Sequence, residues 1–134
     1  MLAVCQHMRM DNDLVPRIAT AFGGGIGGTG SVCGALVGAV MAIGLRYGRE
    51  QASDRDTRAY ALTQELRRRF EAVMGHVDCR ELTGMDLSTR EGAERFYASD
   101  VPQRVCMPAV GTAYEVVLEL LEGAGGGAPA APRG

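Results

Sequence analysis

Ser31-Val32-Cys33-Gly34-Ala35-Leu36-Val37-Gly38-Ala39-Val40-Met41-Ala42-Ile43-Gly44-Leu45-Arg46-Tyr47-Gly48 is the most apolar stretch of the chain, with no charge before Arg46. A membrane-spanning helix needs about 20 apolar residues, and the preceding segment is too rich in glycine to extend this one as a helix. The stretch therefore predicts a buried core helix, capped by Ser31 and ending near Tyr47 at Gly48. Gly34, Gly38 and Ala42 recur every four residues and form a ridge of small side chains that permits close helix packing. The same Gly-x-x-x-Gly spacing serves dimers of membrane helices in longer apolar runs. Here core packing is the stronger reading, and a homodimer could use whatever part of the ridge stays exposed.

Outward from this helix, apolar residues recur with helical spacing, and no β-branched run bounded by hairpin turns occurs. The expectation is an all-α, single-domain bundle of about five to six helices with a glycine-rich loop. A short helix at residues 2–9 carries Cys5, and a second runs from Asp13, with Pro16 in its first turn, to Gly23. Ser53 and Asp54 offer caps for a long helix to Met74, with Tyr60, Leu62, Leu66, Phe70 and Val73 inward and Gly75 as its stop. Cys79 falls in a connection or a short turn of helix ending at Gly84. Ser88-x-x-Glu91 resembles a capping box for a helix bearing Phe96 and Tyr97, closed by Pro102. The last helix begins between Val101 and Pro108, turns Val110, Tyr114, Val117, Leu118 and Leu121 inward, and ends at Glu122. Residues 1–122 form the domain, and 123–134, rich in Gly, Ala and Pro, are expected to be a disordered tail.

Six of the eight residues from Gly23 to Gly30 are glycine. That density implies positive backbone angles or the close approach of another segment. Gly23, Gly25 and Gly28 satisfy G-x-G-x-x-G, but a dinucleotide fingerprint follows a strand, and here a helix precedes it.

With 134 residues the chain can bury a self-sufficient core without disulfides. Sixteen acidic against 14 basic residues give a net charge of −2, and the one dense basic cluster, Arg67 to Arg69, lies on a helix. Nucleic acid is not an expected partner. All basic residues are Arg, so a P-loop lysine and a lysine Schiff base are excluded. Arg9, Asp11 and Asp13 interrupt any signal-like apolar run, and a cytoplasmic location with reduced thiols is expected.

Cys5, Cys33, Cys79 and Cys106 are separated by 27, 45 and 26 residues, so only folding could bring them together. Cys33 stands at a helix start, where unpaired amides and the dipole favour a thiolate, which makes it the candidate nucleophile. Burial as a small hydrophobe is its competing reading. Arg80 and Arg104 offer positive charge beside Cys79 and Cys106. His7 and His76 lie close in sequence to Cys5 and Cys79 and could replace or orient a ligand, although an exposed histidine is the simpler reading of each.

The Cys33 to Gly38 segment, Phe22-Gly23-Gly24-Gly25 and Cys79-Arg80-Glu81-Leu82-Thr83-Gly84, together with the four cysteines in order, resemble the redox-active protein family named for its C_GCAxxG_C_C cysteine pattern. The resemblance covers roughly residues 5 to 120. It implies a shared site of Cys5, Cys33, Cys79 and Cys106 holding an iron–sulfur cluster or another thiolate-bound metal, for electron transfer or redox sensing with an unidentified redox partner. Soft thiolates suit such metals, and four cysteines complete a ligand set. A metal-free alternative is thiol–disulfide exchange with Cys33 as the attacking thiolate. A third reading is a non-enzymatic helical interaction module, docked on a transporter or membrane protein because family members are often encoded beside transporters.

Overall fold

The computed structural model describes residues 1–10 and 13–124, and within them every named element is helical. In chain order these are α1 (Leu2–His7), α2 (Val15–Ala19), α3 (Gly34–Tyr47), α4 (Arg58–Met74), α5 (Cys79–Thr83), α6 (Arg90–Tyr97) and α7 (Met107–Gly123). A 3-10 turn, Thr20–Phe22, prolongs α2, and a π-helix, Pro102–Cys106, runs directly into α7. The expected all-α fold is what forms. Gly123 ends α7 and Ala124 follows as its cap; the rest of the expected tail lies outside the described residues.

α3, α4 and α7 pack on one another as a three-helix core, with α1 against α3 and α7. Leu36, Ala39, Ala42 and Ile43 of α3 meet Leu66 and Phe70 of α4 and Ala109, Ala113, Val117, Leu120 and Leu121 of α7. The alanines let the helices approach closely, while Phe70, Leu66 and Ile43 fill the space between them. The glycine ridge of α3 meets the N-terminal part of the chain: a Cβ on Gly34 would come 2.9 Å from the Phe22 carbonyl oxygen, and one on Gly38 would come 3.3 Å from the Met1 nitrogen.

Several helix ends differ from expectation, each because a side chain or backbone group is engaged elsewhere. Val32 forms an isolated antiparallel bridge with Asp78, so residues 31–33 are extended and Cys33, in place of Ser31, is the N-cap of α3. The Asp54 carboxylate accepts the Glu50 and Gln51 amides at 2.9 and 3.0 Å, closing a turn, and α4 starts later, at Arg58. Tyr60 and Val73, expected inward on α4, are 66% and 67% exposed. Val110 of α7 is likewise exposed, since Ala109 and Ala113 take the inward positions of that turn. The Ser88 hydroxyl donates to Asp86, and Thr89 caps α6 by accepting the Gly92 amide at 3.0 Å. Pro102 opens the π-helix where a stop was expected, because a proline in a first turn removes no helical hydrogen bond.

Along α4, Glu65 accepts hydrogen bonds from Arg68 and Arg69, which hold its carboxyl down to about 2. This network is exposed, and its contribution to stability is screened by solvent.

Candidate thiol site

Five consecutive residues, Gly24 to Gly28, have φ between 61° and 79°, making a short left-handed coil that only glycine enters without strain. Its hydrogen bonds are local: the Ile26 and Gly27 amides donate to the Phe22 and Ala21 carbonyls at 3.2 and 2.7 Å. The coil folds over the first turn of α5. A Cβ on Gly25 would overlap the Ser31 backbone and stand 2.7 Å from the Cβ of Cys79, while one on Gly30 would stand 2.9 Å from that of Arg80. Both halves of the expectation for this run, positive angles and close approach, hold.

The loop then supplies the backbone partners of α5. The Cys79 and Arg80 amides donate to the Ser31 and Gly30 carbonyls at 2.7 and 3.0 Å, and the Cys33 amide donates to Val77 at 2.8 Å. Cys33 and Cys79 each follow a member of the Val32–Asp78 bridge. Residues adjacent to a bridged pair point to the face opposite that pair, so both side chains leave the bridge on one side. Cys33 thus caps α3 and Cys79 opens α5, joined by one bridge.

Cys106 arrives from the other side, because the π-helix packs on α5. Pro108 has no amide hydrogen, so the α-helical bond from residue 108 to the Arg104 carbonyl cannot form, which accounts for wider winding immediately before it.

The three sulfurs sense one another. Burial, then the Cys33 charge, then the Cys106 charge, raise the Cys79 thiol above its ordinary value, outweighing a hydrogen bond from Thr83. Burial and then the Cys33 charge raise Cys106. The Cys33 charge thus acts on both of the other thiols. The two arginines expected to favour the thiolates act elsewhere: Arg80 donates to the Thr29 carbonyl at 3.3 Å and to Asp86 at 3.1 Å, and Arg104 to Asp100 at 3.3 Å. Cys79 is 8% exposed, while Cys33 and Cys106 are half-buried, so reagents reach the latter two more readily.

Cys5 comes from a different element. It is buried in α1 two residues before His7, whose Nε2 stands 3.1 Å from Glu122 Oε1. Glu122 is at the C-terminal end of α7, about 24 Å along the helix axis from Cys106 at 1.5 Å per residue. The helix that carries Cys5 begins beside Gly38, about one turn into α3 from Cys33, and its Val4 shares a cleft with Gly34 and Ala35. His76 is exposed. Among the described residues no three His, Cys, Asp or Glu side chains are placed to hold a metal ion. None of these residues' helices is long and apolar enough to cross a membrane.

An all-α bundle with a thiol trio at two helix starts and a π-helix defines a class of small helical cysteine proteins. Within it, the chain belongs to the family described as Putative redox-active protein (C_GCAxxG_C_C), whose model matches residues 1–120. An uncharacterized protein of Archaeoglobus fulgidus is 29% identical over 130 residues, covering 90% of this chain and 79% of its own. No solved structure matches the chain.

The cysteines were legible as candidates from the sequence, but Gly25 and Asp78, which set the position of Cys79, were not. The glycine density signalled a close approach without naming its partner.

Proposed function

We propose that this protein carries out thiol–disulfide exchange, with Cys33 as the attacking thiol and Cys79 as its first resolving partner. The observation that carries this reading is geometric: Cys33 and Cys79 each follow a member of the Val32–Asp78 bridge and leave it on one face, and the π-helix that ends at Cys106 packs on α5. Cys33 stands at the N-cap position of a 14-residue helix, and it is more accessible than Cys79. Its thiolate attacks one sulfur of a substrate disulfide, forming a mixed disulfide and releasing the other half as a thiolate. Cys79 then gives up its proton and attacks the Cys33 sulfur, expelling the second half and leaving a Cys33–Cys79 disulfide. Two electrons pass from protein to substrate, and an external dithiol returns them. Cys106 is the alternative resolving thiol, and a reducing, cytoplasmic setting suits the cycle.

The test is to mix reduced protein with glutathione disulfide and measure released glutathione. Wild type should release two equivalents per chain. Cys33→Ser should release none, and the double variant Cys79→Ser/Cys106→Ser one, with the mixed disulfide retained. A Cys33→Ser protein with the wild-type yield would remove the proposal. Stoichiometric iron and sulfide after anaerobic purification would support the cluster reading in its place. Retained partner binding after replacement of all four cysteines would support the interaction module.

A further inference from the structure

At the opposite end of α3 from Cys33, about 21 Å away at 1.5 Å per residue, a cleft of about 510 Å³ opens between the end of α3 and the start of α4. It falls in the size range of small-molecule sites, about 300–1,000 Å³. Val40, Gly44 and Ala59 give it an apolar wall, Tyr47 and Tyr60 an aromatic one, and Arg49 and Arg55 stand at its polar side. The Tyr60 residue is 66% exposed. A third guanidinium, that of Arg58, lies 5.2 Å from the centre of the Tyr47 ring.

The charges are arranged unequally. Asp54 and Asp56 also line the cleft, but their carboxylates accept backbone amides, from Glu50 and Gln51 and from Arg58. Arg49 and Arg55 pair with no carboxylate among the described residues, in contrast to Arg67, Arg68 and Arg69 on the outer face of α4. Planar guanidinium forks without a partner are suited to bidentate capture of a carboxylate. The two aspartates in the same wall disfavour a doubly charged group, so a monoanion fits better than a phosphate. In addition, the Tyr47 hydroxyl is buried without a hydrogen-bond partner among the described residues, an unsettled feature in the wall of an otherwise ordinary cleft.

We infer that this cleft is a binding site for an aromatic carboxylate, its ring against Tyr60 and the apolar wall and its carboxylate between Arg49 and Arg55. The site is independent of the thiol chemistry. The probe is 2-naphthoate, titrated into isotope-labelled protein and followed by amide chemical shifts. Saturable shifts confined to Tyr47, Thr57, Tyr60 and Thr63 are expected. The neutral 2-naphthalenemethanol should bind roughly tenfold more weakly or worse, as should 2-naphthoate to the exposed-residue variant Arg49→Gln/Arg55→Gln. Shifts mapping elsewhere, absence of saturation up to about 10 mM, or equal binding of the neutral analogue would overturn the site. Tighter binding of 2-naphthyl phosphate than of 2-naphthoate would overturn the carboxylate assignment.

Discussion

Gly25 bears the tightest constraint on the thiol site, because it combines a φ of +72° with a Cβ position blocked by Ser31 and Cys79. Gly27 has a similar φ of +63° but open space around it. Gly27→Ala should therefore cost about 1–2 kcal/mol, the left-handed penalty alone, whereas Gly25→Ala should cost more and displace Cys79. Thermal unfolding checks the difference, and the rate of Cys79 alkylation checks the displacement. Charge enters through the raised thiols. Cys79 and Cys106 hold their protons in the folded state at a pH where the unfolded chain has begun to lose them. Their contribution to stability is complete below the ordinary thiol value of about 8.5 and is lost as pH rises through the raised values. Denaturant unfolding under reductant from neutral to alkaline pH should show this decline, and Cys79→Ser/Cys106→Ser should flatten it.

Among elements, the core helices are stabilised by few large side chains among many small ones, so each large one matters. Phe70→Ala should cost about 3–5 kcal/mol, read as a lower denaturation midpoint with the same helical spectrum before unfolding. The π-helix depends on a missing donor. Pro108→Ala supplies the amide hydrogen that can bond the Arg104 carbonyl, and a slowly exchanging amide at position 108 is the expected result. Much of this level was legible in the sequence. The apolar period placed α3 and α7, Gly75 and Gly84 ended α4 and α5, and the thirteen uncharged residues from Cys33 marked the core. Exact starts were less legible, because Asp54 and Ser88 have side chains that cap helices and also close turns, and only the fold decides which they do. The Val32–Asp78 bridge joins residues 46 positions apart, so no local pattern announces it.

Across the whole molecule, the topology brings three cysteines remote in sequence, Cys33, Cys79 and Cys106, to one end of the bundle, a grouping that neither cysteine count nor spacing contained. The family pattern supplied four equal candidates; the fourth, Cys5, comes on helix α1, which packs against α3 and α7. The most direct test of that grouping is to oxidise dilute protein with a limiting amount of diamide, alkylate the remaining thiols and map the peptides by mass spectrometry. A Cys33–Cys79 link, with Cys33–Cys106 as the minor product, is the predicted result; Cys33 recovered fully alkylated, with no link to Cys79 or Cys106, would contradict the account.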